Sequence, residues 1–221
     1  MIKLNDNIRM ENFPVGSFQC NCSIIYSSLT LEAIIIDPGN DPQFIMDIVK
    51  KRKINVKILL HTHAHFDHIG GSRMLSETLG AKIFLHQQDH SLYLGLREQG
   101  LLFGEQLMEP GNIDHFIQDE EEILVHDPHL NKILQTIHTP GHTPGSCSFY
   151  SEKGIDAPIL FSGDTLFNQS IGRTDLPGGD FDQILSSIKT RLLVLPKETT
   201  IIPGHGPNTS IEFEKLHNPF L

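Results

Sequence analysis

The chain has 221 residues, a length suited to one domain, with 17 basic and 27 acidic side chains and a formal charge of −10. Hydrophobic residues make up 38% of it and charged residues 20%, which supports a packed core and excludes a disordered chain. The acidic balance disfavours nucleic acid as a partner, and no apolar run approaches the ~20 residues of a membrane span. The opening MIKLNDNIRM lacks the basic-then-apolar layout of an export signal. Three cysteines are too few for a disulfide framework, so a cytoplasmic protein is expected. Thirteen histidines beside three tyrosines and no tryptophan point toward metal.

In chain order, Ser23–Tyr26 and Ala33–Ile36 are predicted strands, rich in branched residues and closed by the turn Asp37-Pro38-Gly39. From about Asp41 to Lys50 the pattern is helical, with Phe44, Ile45, Ile48 and Val49 on one face and charges opposite. Val56–Leu60 is a buried strand running directly into a histidine-dense loop. Met74, Leu75, Thr78 and Leu79 predict a second helix stopped at Gly80, and Lys82–Leu85 another strand. The stretch from His90 to about Gln118 mixes a helix with a long loop. Further strands are predicted at Glu120–Val125, Lys132–His138, Cys147–Tyr150, Pro158–Phe161 and Thr200–Ile202. Phe181–Leu195 reads as a helix with Ile184, Leu185, Ile188, Leu192 and Leu193 inward, and Ser210 caps a short final one. Linkers and short repeats are absent, so residues 1–221 are expected to form one domain, sheet against sheet with helices outside.

The strongest local signal is His61-Thr62-His63-Ala64-His65-Phe66-Asp67-His68, directly after the Val56–Leu60 strand. Imidazole and carboxylate suit zinc, iron or manganese better than a soft metal. If a helix opens at Ile69, alternating residues before it aim at two neighbouring points. A surface histidine cluster would need neither an aspartate among the ligands nor a strand feeding it. Three later segments repeat the design of strand, glycine-bearing turn and single ligand: Thr139-Pro140-Gly141-His142, Ser162-Gly163-Asp164 and Pro203-Gly204-His205. Each alone is weak, since a lone His or Asp near a turn is commonplace. Together they supply five histidines and two aspartates, the inventory of a two-metal site.

The order His63-x-His65-x-Asp67-His68, His142, Asp164, His205 resembles the metallo-β-lactamase fold superfamily. Gly163-Asp164-Thr165-Leu166-Phe167, Gly172-Arg173-Thr174-Asp175 and the ending Leu216-His217-Asn218-Pro219-Phe220 resemble its short glyoxalase II-like hydrolases. The resemblance runs from Asn21-Cys22 to the last residues. It implies an α+β fold, an αββα sandwich of two mixed sheets with helices on the outer faces. His63, His65 and His142 would hold one divalent ion, and Asp67, His68 and His205 a second, with Asp164 bridging. Zinc is the first expectation, with iron or manganese compatible. The implied reaction is thioester hydrolysis, best matched by an S-(2-hydroxyacyl)glutathione, through attack of a hydroxide held between the ions. Asp67 would orient that hydroxide by accepting its proton.

The same frame leaves His61 without a metal and makes it a packing residue. Cys20, Cys22 and Cys147 read as buried small hydrophobes. Arg173 lies where glyoxalase II enzymes carry a basic residue that contacts glutathione, and would bind substrate; an internal ion pair with Asp175 or Asp180 is the alternative. Only sixteen residues follow His205, so the separate helical C-terminal domain of longer relatives, with its glutathione contacts, is not expected. Two rivals share the resemblance: a mononuclear-iron persulfide dioxygenase and a lactonase or other ester hydrolase. The dioxygenases read Pro-Ala-His-Asp near the last histidine, where this chain has Pro203-Gly204-His205-Gly206.

Overall fold

The computed structural model describes residues 1–221. One sheet has seven strands in sequence order: β1 (Ile2–Lys3), β2 (Ile8–Val15), β3 (Cys20–Ser27), β4 (Glu32–Ile36), β5 (Asn55–Leu60), β6 (Lys82–His86) and β7 (His115–Ile117). Its first half is antiparallel, and β4 to β7 run parallel. The remaining strands are β8 (Gln135–His138), β9 (Cys147–Ser151), β10 (Ile159–Gly163), β11 (Leu166–Phe167), β12 (Ser170–Ile171), β13 (Thr200–Pro203) and β14 (Thr209–Ser210). Five of them make a second mixed sheet in the order β14-β13-β10-β9-β8, while β11 and β12 form a small hairpin. The helices are α1 (Pro42–Arg52), α2 (Phe66–Ile69), α3 (Ser72–Leu79), α4 (His90–Leu94), α5 (Leu96–Leu102), α6 (Phe181–Ser187) and α7 (Ile211–His217).

The layering follows from side chains alternating across each strand. In β3 and β4, Ile24 and Ile35 pack outward with Ile45 and Val49 of α1 and Leu75 of α3. Their neighbours Ile25, Ile34 and Ile36 point the other way, onto Phe149, Ile159, Phe161 and Ile202 of the second sheet. On that sheet, Leu160 and Ile201 turn outward to meet Ile184, Ile188, Leu192 and Ile211. Three apolar layers result, separating helix, sheet, sheet and helix, as the resemblance implies. Strands buried on both faces read as unbroken apolar runs, which is why Ile34-Ile35-Ile36 and Leu59-Leu60 stood out.

Local signals set the helix ends. Asp41 caps α1 by accepting from Phe44 N at 3.3 Å, with Pro42 in the first turn. Lys50, Lys51 and Arg52 complement the dipole at its last turn. Gly80 ends α3 in the left-handed conformation, and Ser210 Oγ accepts from Phe213 N to cap α7.

Some expectations are corrected. Glu120–Val125 is not a strand; it meets residues 132–136 through one isolated bridge, Glu122 to Gln135, and irregular backbone hydrogen bonds such as Ile123 N to Leu134 O at 2.8 Å. Glu120 and Lys132 both take positive φ, bending the chain where extension was expected and starting β8 at Gln135, not Lys132. The Phe181–Leu195 helix is α only to Ser187, and a wider π turn over Ile188–Leu192 still buries Ile188 and Leu192. The helix after the histidine run opens at Phe66, three residues before Ile69.

The sheets also meet through His86 at the end of β6 and His138 at the end of β8, whose rings stack with centroids 4.2 Å apart. Burial, and then the neighbouring His138, pull His86 down from 6.5 to about 4. The unfolded chain therefore binds a proton that the folded chain refuses between those values, and stability falls as pH drops through that window. His86→Phe keeps a ring in the stack without the titration. We expect its melting temperature to fall less than the wild-type value between pH 7 and pH 5, followed by circular dichroism at equal metal content.

Candidate metal centre

Every predicted ligand lies just beyond the C-terminal end of a strand, where the two sheets meet. After β5 the chain leaves the sheet through His63 and Ala64 to His65, which is extended, and α2 follows with Asp67 and His68. From the second sheet come His142 after β8, Asp164 after β10 and His205 after β13. The donor atoms of His63, His65 and His142 lie within 4.8 Å of one another, as do those of Asp67, His68 and His205. His65 Nδ1 is 2.9 Å from His142 Nε2, and His205 Nε2 is 3.1 Å from Asp67 Oδ2 and 3.2 Å from His68 Nε2. Asp164 lies between the groups: its Oδ1 is 3.4 Å from His68 Nε2, and its Oδ2 is 3.6 Å from His142 Nε2 and 3.7 Å from His205 Nε2.

Four of the five histidines are fixed through the ring nitrogen facing away from the centre. His63 Nδ1 is 3.0 Å from Thr62 Oγ1, His68 Nδ1 3.0 Å from Asp37 Oδ2, His142 Nδ1 2.7 Å from Arg173 O, and His205 Nδ1 3.0 Å from Phe18 O. An Nδ1–H donated outward leaves Nε2 with its lone pair facing inward, the tautomer a metal requires. Asp37 serves both groups. It accepts from Thr62 N at 2.8 Å and Thr62 Oγ1 at 2.7 Å, so that hydroxyl is left to accept from His63, while the second contact holds His68. The sequence reading took Asp37 only as part of a turn.

Asp89 is a second carboxylate that the sequence reading passed over. It is fully buried, and it accepts from Ala64 N at 2.9 Å, Thr143 Oγ1 at 2.8 Å and Gly145 N at 2.6 Å. It thereby ties the His63–His65 segment to the loop carrying His142. Gly145 permits the approach, since a Cβ there would meet Asp89 Oδ1 at 2.7 Å. A Cβ at Gly204 would likewise collide with Asp164 Oδ1, so the backbone before His205 can come close only as glycine. His61 is buried and bonds Phe84 O at 2.9 Å and Ser72 Oγ at 2.7 Å, holding the strand end from behind. All three cysteines are buried and free, and Cys20 Sγ approaches His68 Nδ1 at 3.5 Å. Arg173 is exposed at the rim, its Nε and Nη2 each 2.7 Å from an oxygen of Asp175.

Residues 15–205 match the family described as the Metallo-beta-lactamase superfamily. The chain belongs to that superfamily. It is 40% identical over 220 residues to the hydroxyacylglutathione hydrolase GloC of Haemophilus influenzae, covering 97% of this chain and 98% of that protein. Among solved structures, the BLEG-1 B3 metallo-beta-lactamase superposes with a TM-score of 0.86 at 38% identity, covering 96% of this chain and 99% of the other. TTHA1623 in a di-iron-bound form also gives 0.86, at 34% identity, covering 96% and 100%. The superfamily fold accounts for the two facing sheets and for the ligand-bearing turns at one edge.

The donor set fits a pair of cations. His63 Nε2 and Asp164 Oδ1 are buried and lack any hydrogen-bond partner, a costly state unless a cation satisfies them. Burial holds His63 well below the usual imidazole range and takes His65 down to about 3, with neighbouring histidines adding to both shifts, so both rings stay neutral and ready to ligate. Tetrahedral ligands at ~2.0–2.1 Å from zinc stand roughly 3.3 Å apart, close to the spacings found here. The clamp on both loops yields a prediction. Asp89→Ala should destabilise the protein by more than ~2 kcal/mol and weaken metal binding about 10–100-fold, read by calorimetric melting and by competition with a chromophoric chelator.

Proposed function

We propose that the chain is a di-metal hydrolase of thioesters, with an S-(2-hydroxyacyl)glutathione as the best-matched substrate and glutathione as the leaving thiol. The observation that carries this reading is the second ligand group, Asp67, His68 and His205, complete and joined to the first through Asp164. Against the mononuclear dioxygenase, which shares the order of these residues, stands the sequence Pro203-Gly204-His205-Gly206 in place of Pro-Ala-His-Asp. The 40% identity to a hydroxyacylglutathione hydrolase over nearly the whole of both chains supports the substrate class.

In this reading His63, His65 and His142 would hold one ion and Asp67, His68 and His205 the other, with Asp164 placed to serve both. Zinc is the proposed metal, with iron or manganese accepted by the same donors. Two such ions would polarise the substrate carbonyl and lower the pKa of a bound water towards ~7. Asp67 accepts the proton of the attacking water at its carboxylate and orients the remaining lone pair toward the carbonyl carbon. Asp37, Arg173 O and Phe18 O keep the histidine rings from turning away. Arg173 contacts the anionic thiol portion of the substrate. No helix is long and apolar enough to cross a membrane, and three free buried thiols suit a reducing compartment such as the cytoplasm.

Chelation followed by dialysis should abolish turnover of S-D-lactoylglutathione, and two equivalents of metal per chain should restore it. His63→Ala should bind one ion fewer and lose more than about 100-fold in kcat/KM, beyond what loss of a supporting residue costs. Turnover undiminished in chelated protein overturns the reading, as does oxygen consumption with glutathione persulfide in place of thioester cleavage.

Arg173 has its own test. Arg173→Ala should raise KM for S-lactoylglutathione about tenfold, the value of one charge-assisted hydrogen bond, with kcat little changed. Asp175→Asn should lower KM by freeing the guanidinium. If neither substitution moves KM, Arg173 serves only its pair with Asp175.

A further inference from the structure

Beside the ligand groups lies a cavity of about 240 Å³. His65 and Asp67 line its inner end, so it opens directly onto the place where a carbonyl would be attacked. Its walls come from four separate stretches of chain: Phe18 before β3, Phe66 of α2, Leu102 and Phe103 at the end of α5, and Leu176 in the loop after Arg173. The three phenylalanines pack as a unit. Phe66 and Phe103 stack with centroids 4.9 Å apart, and Phe18 stands edge-on to both, at 5.0 and 5.7 Å. Phe66 is buried and anchors the set, while Phe18 and Phe103 remain 41% and 45% exposed, leaving ring surface for a ligand.

The polar groups along these walls are already engaged. Gln99 accepts from Phe66 N at 3.2 Å and donates to Ala64 O at 3.1 Å and Leu92 O at 2.7 Å, which braces α5 against the ligand segment. Arg173 is held bidentately by Asp175 at the rim. What enters the cavity therefore meets ring faces and methyl groups, and gains by desolvation alone. A lactoyl group is too small and too polar to use that surface. At roughly 30 Å³ for a water-sized group, the cavity holds a chain of about six to eight heavy atoms.

We infer that this cavity is an acyl-group subsite, and that the enzyme's substrates carry an apolar aliphatic or aromatic acyl group larger than lactoyl, selected by Phe18, Phe66 and Phe103. The inference rests on the thioester reading for its chemistry, but not for its binding surface, and the two can be tested apart.

Metal-loaded protein is given N-acetylcysteamine thioesters of acetyl, butyryl, hexanoyl and benzoyl groups, which share one small uncharged thiol. In parallel, acetate and hexanoate are titrated by calorimetry, with no turnover involved. We expect kcat/KM to rise about threefold per methylene to hexanoyl, a little under the ~0.8 kcal/mol of full methylene burial because the mouth is open. Hexanoate should bind on the order of fifty-fold more tightly than acetate. Phe103→Ala should flatten both trends, and Phe103→Leu should restore most of each at unchanged melting temperature. Short thioesters turned over with no chain-length trend, and hexanoate no tighter than acetate, overturn the subsite and leave the hydrolase standing. Inert thioesters with tight, Phe103-dependent hexanoate binding overturn the hydrolase and leave the apolar site. Failure of both arms removes both.

Discussion

The structure depends on holding seven metal-competent donors closer together than they would rest in water. Five imidazoles and two carboxylates meet within a few ångströms, with lone pairs pointing at one another, and several are cut off from solvent. Burial and neighbouring imidazoles disfavour charge on His63 and His65, so the fold must supply rigidity in advance. It does so by placing Asp164 and His205 one and two residues beyond a strand, and the other donors in the short loops and the helix that follow β5 and β8. Asp37 and Asp89 then convert that rough placement into aim, one by setting ring orientation and the other by binding two loops into a single frame.

Orientation and identity are separate problems here. The ligand types would suit a range of metals, and the chemistry open to such a centre is broad: relatives at similar distance carry names as different as hydroxyacylglutathione hydrolase and B3 metallo-beta-lactamase. What distinguishes one member from another lies in the walls beside the centre. In this chain those walls are aromatic and aliphatic, contributed by segments outside the ligand motifs. Phe103 and Leu102 belong to the stretch after His90, whose fold was the hardest to read from sequence.

The candidate ligands were legible because each motif couples metal-competent side chains to the end of a strand, in three cases through a glycine turn, and these features are local. The core was legible for the same reason, since unbroken apolar runs such as Ile34–Ile36 announce strands buried on two faces. Asp89 was not legible, because its meaning lies in donors 25, 54 and 56 residues away along the chain. Asp37 was hidden inside an Asp-Pro-Gly turn that accounted for it fully on local grounds. The false strand at Glu120–Val125 and the early start given to Lys132–His138 share a feature: two residues without special turn chemistry, Glu120 and Lys132, adopt left-handed backbone. Arg173 shows the limit of placement by motif. It lines the cavity, yet its guanidinium is already committed to Asp175.

The donors are divided between the layers: His63, His65, Asp67 and His68 hang from the seven-stranded sheet, and His142, Asp164 and His205 from the five-stranded one. Direct backbone ties along this margin include Cys147 N to Thr62 O at 2.7 Å and Asn21 N to Gly204 O at 2.7 Å. An ion captured there would act as a rivet through both plates. At a free concentration a hundred times its dissociation constant, one such ion adds ~2.7 kcal/mol to the folded state. The seam of the sandwich would thus be tightened or slackened by the surrounding metal supply, and starvation for metal would show first as splaying of that margin, with the helical outer layers still in place.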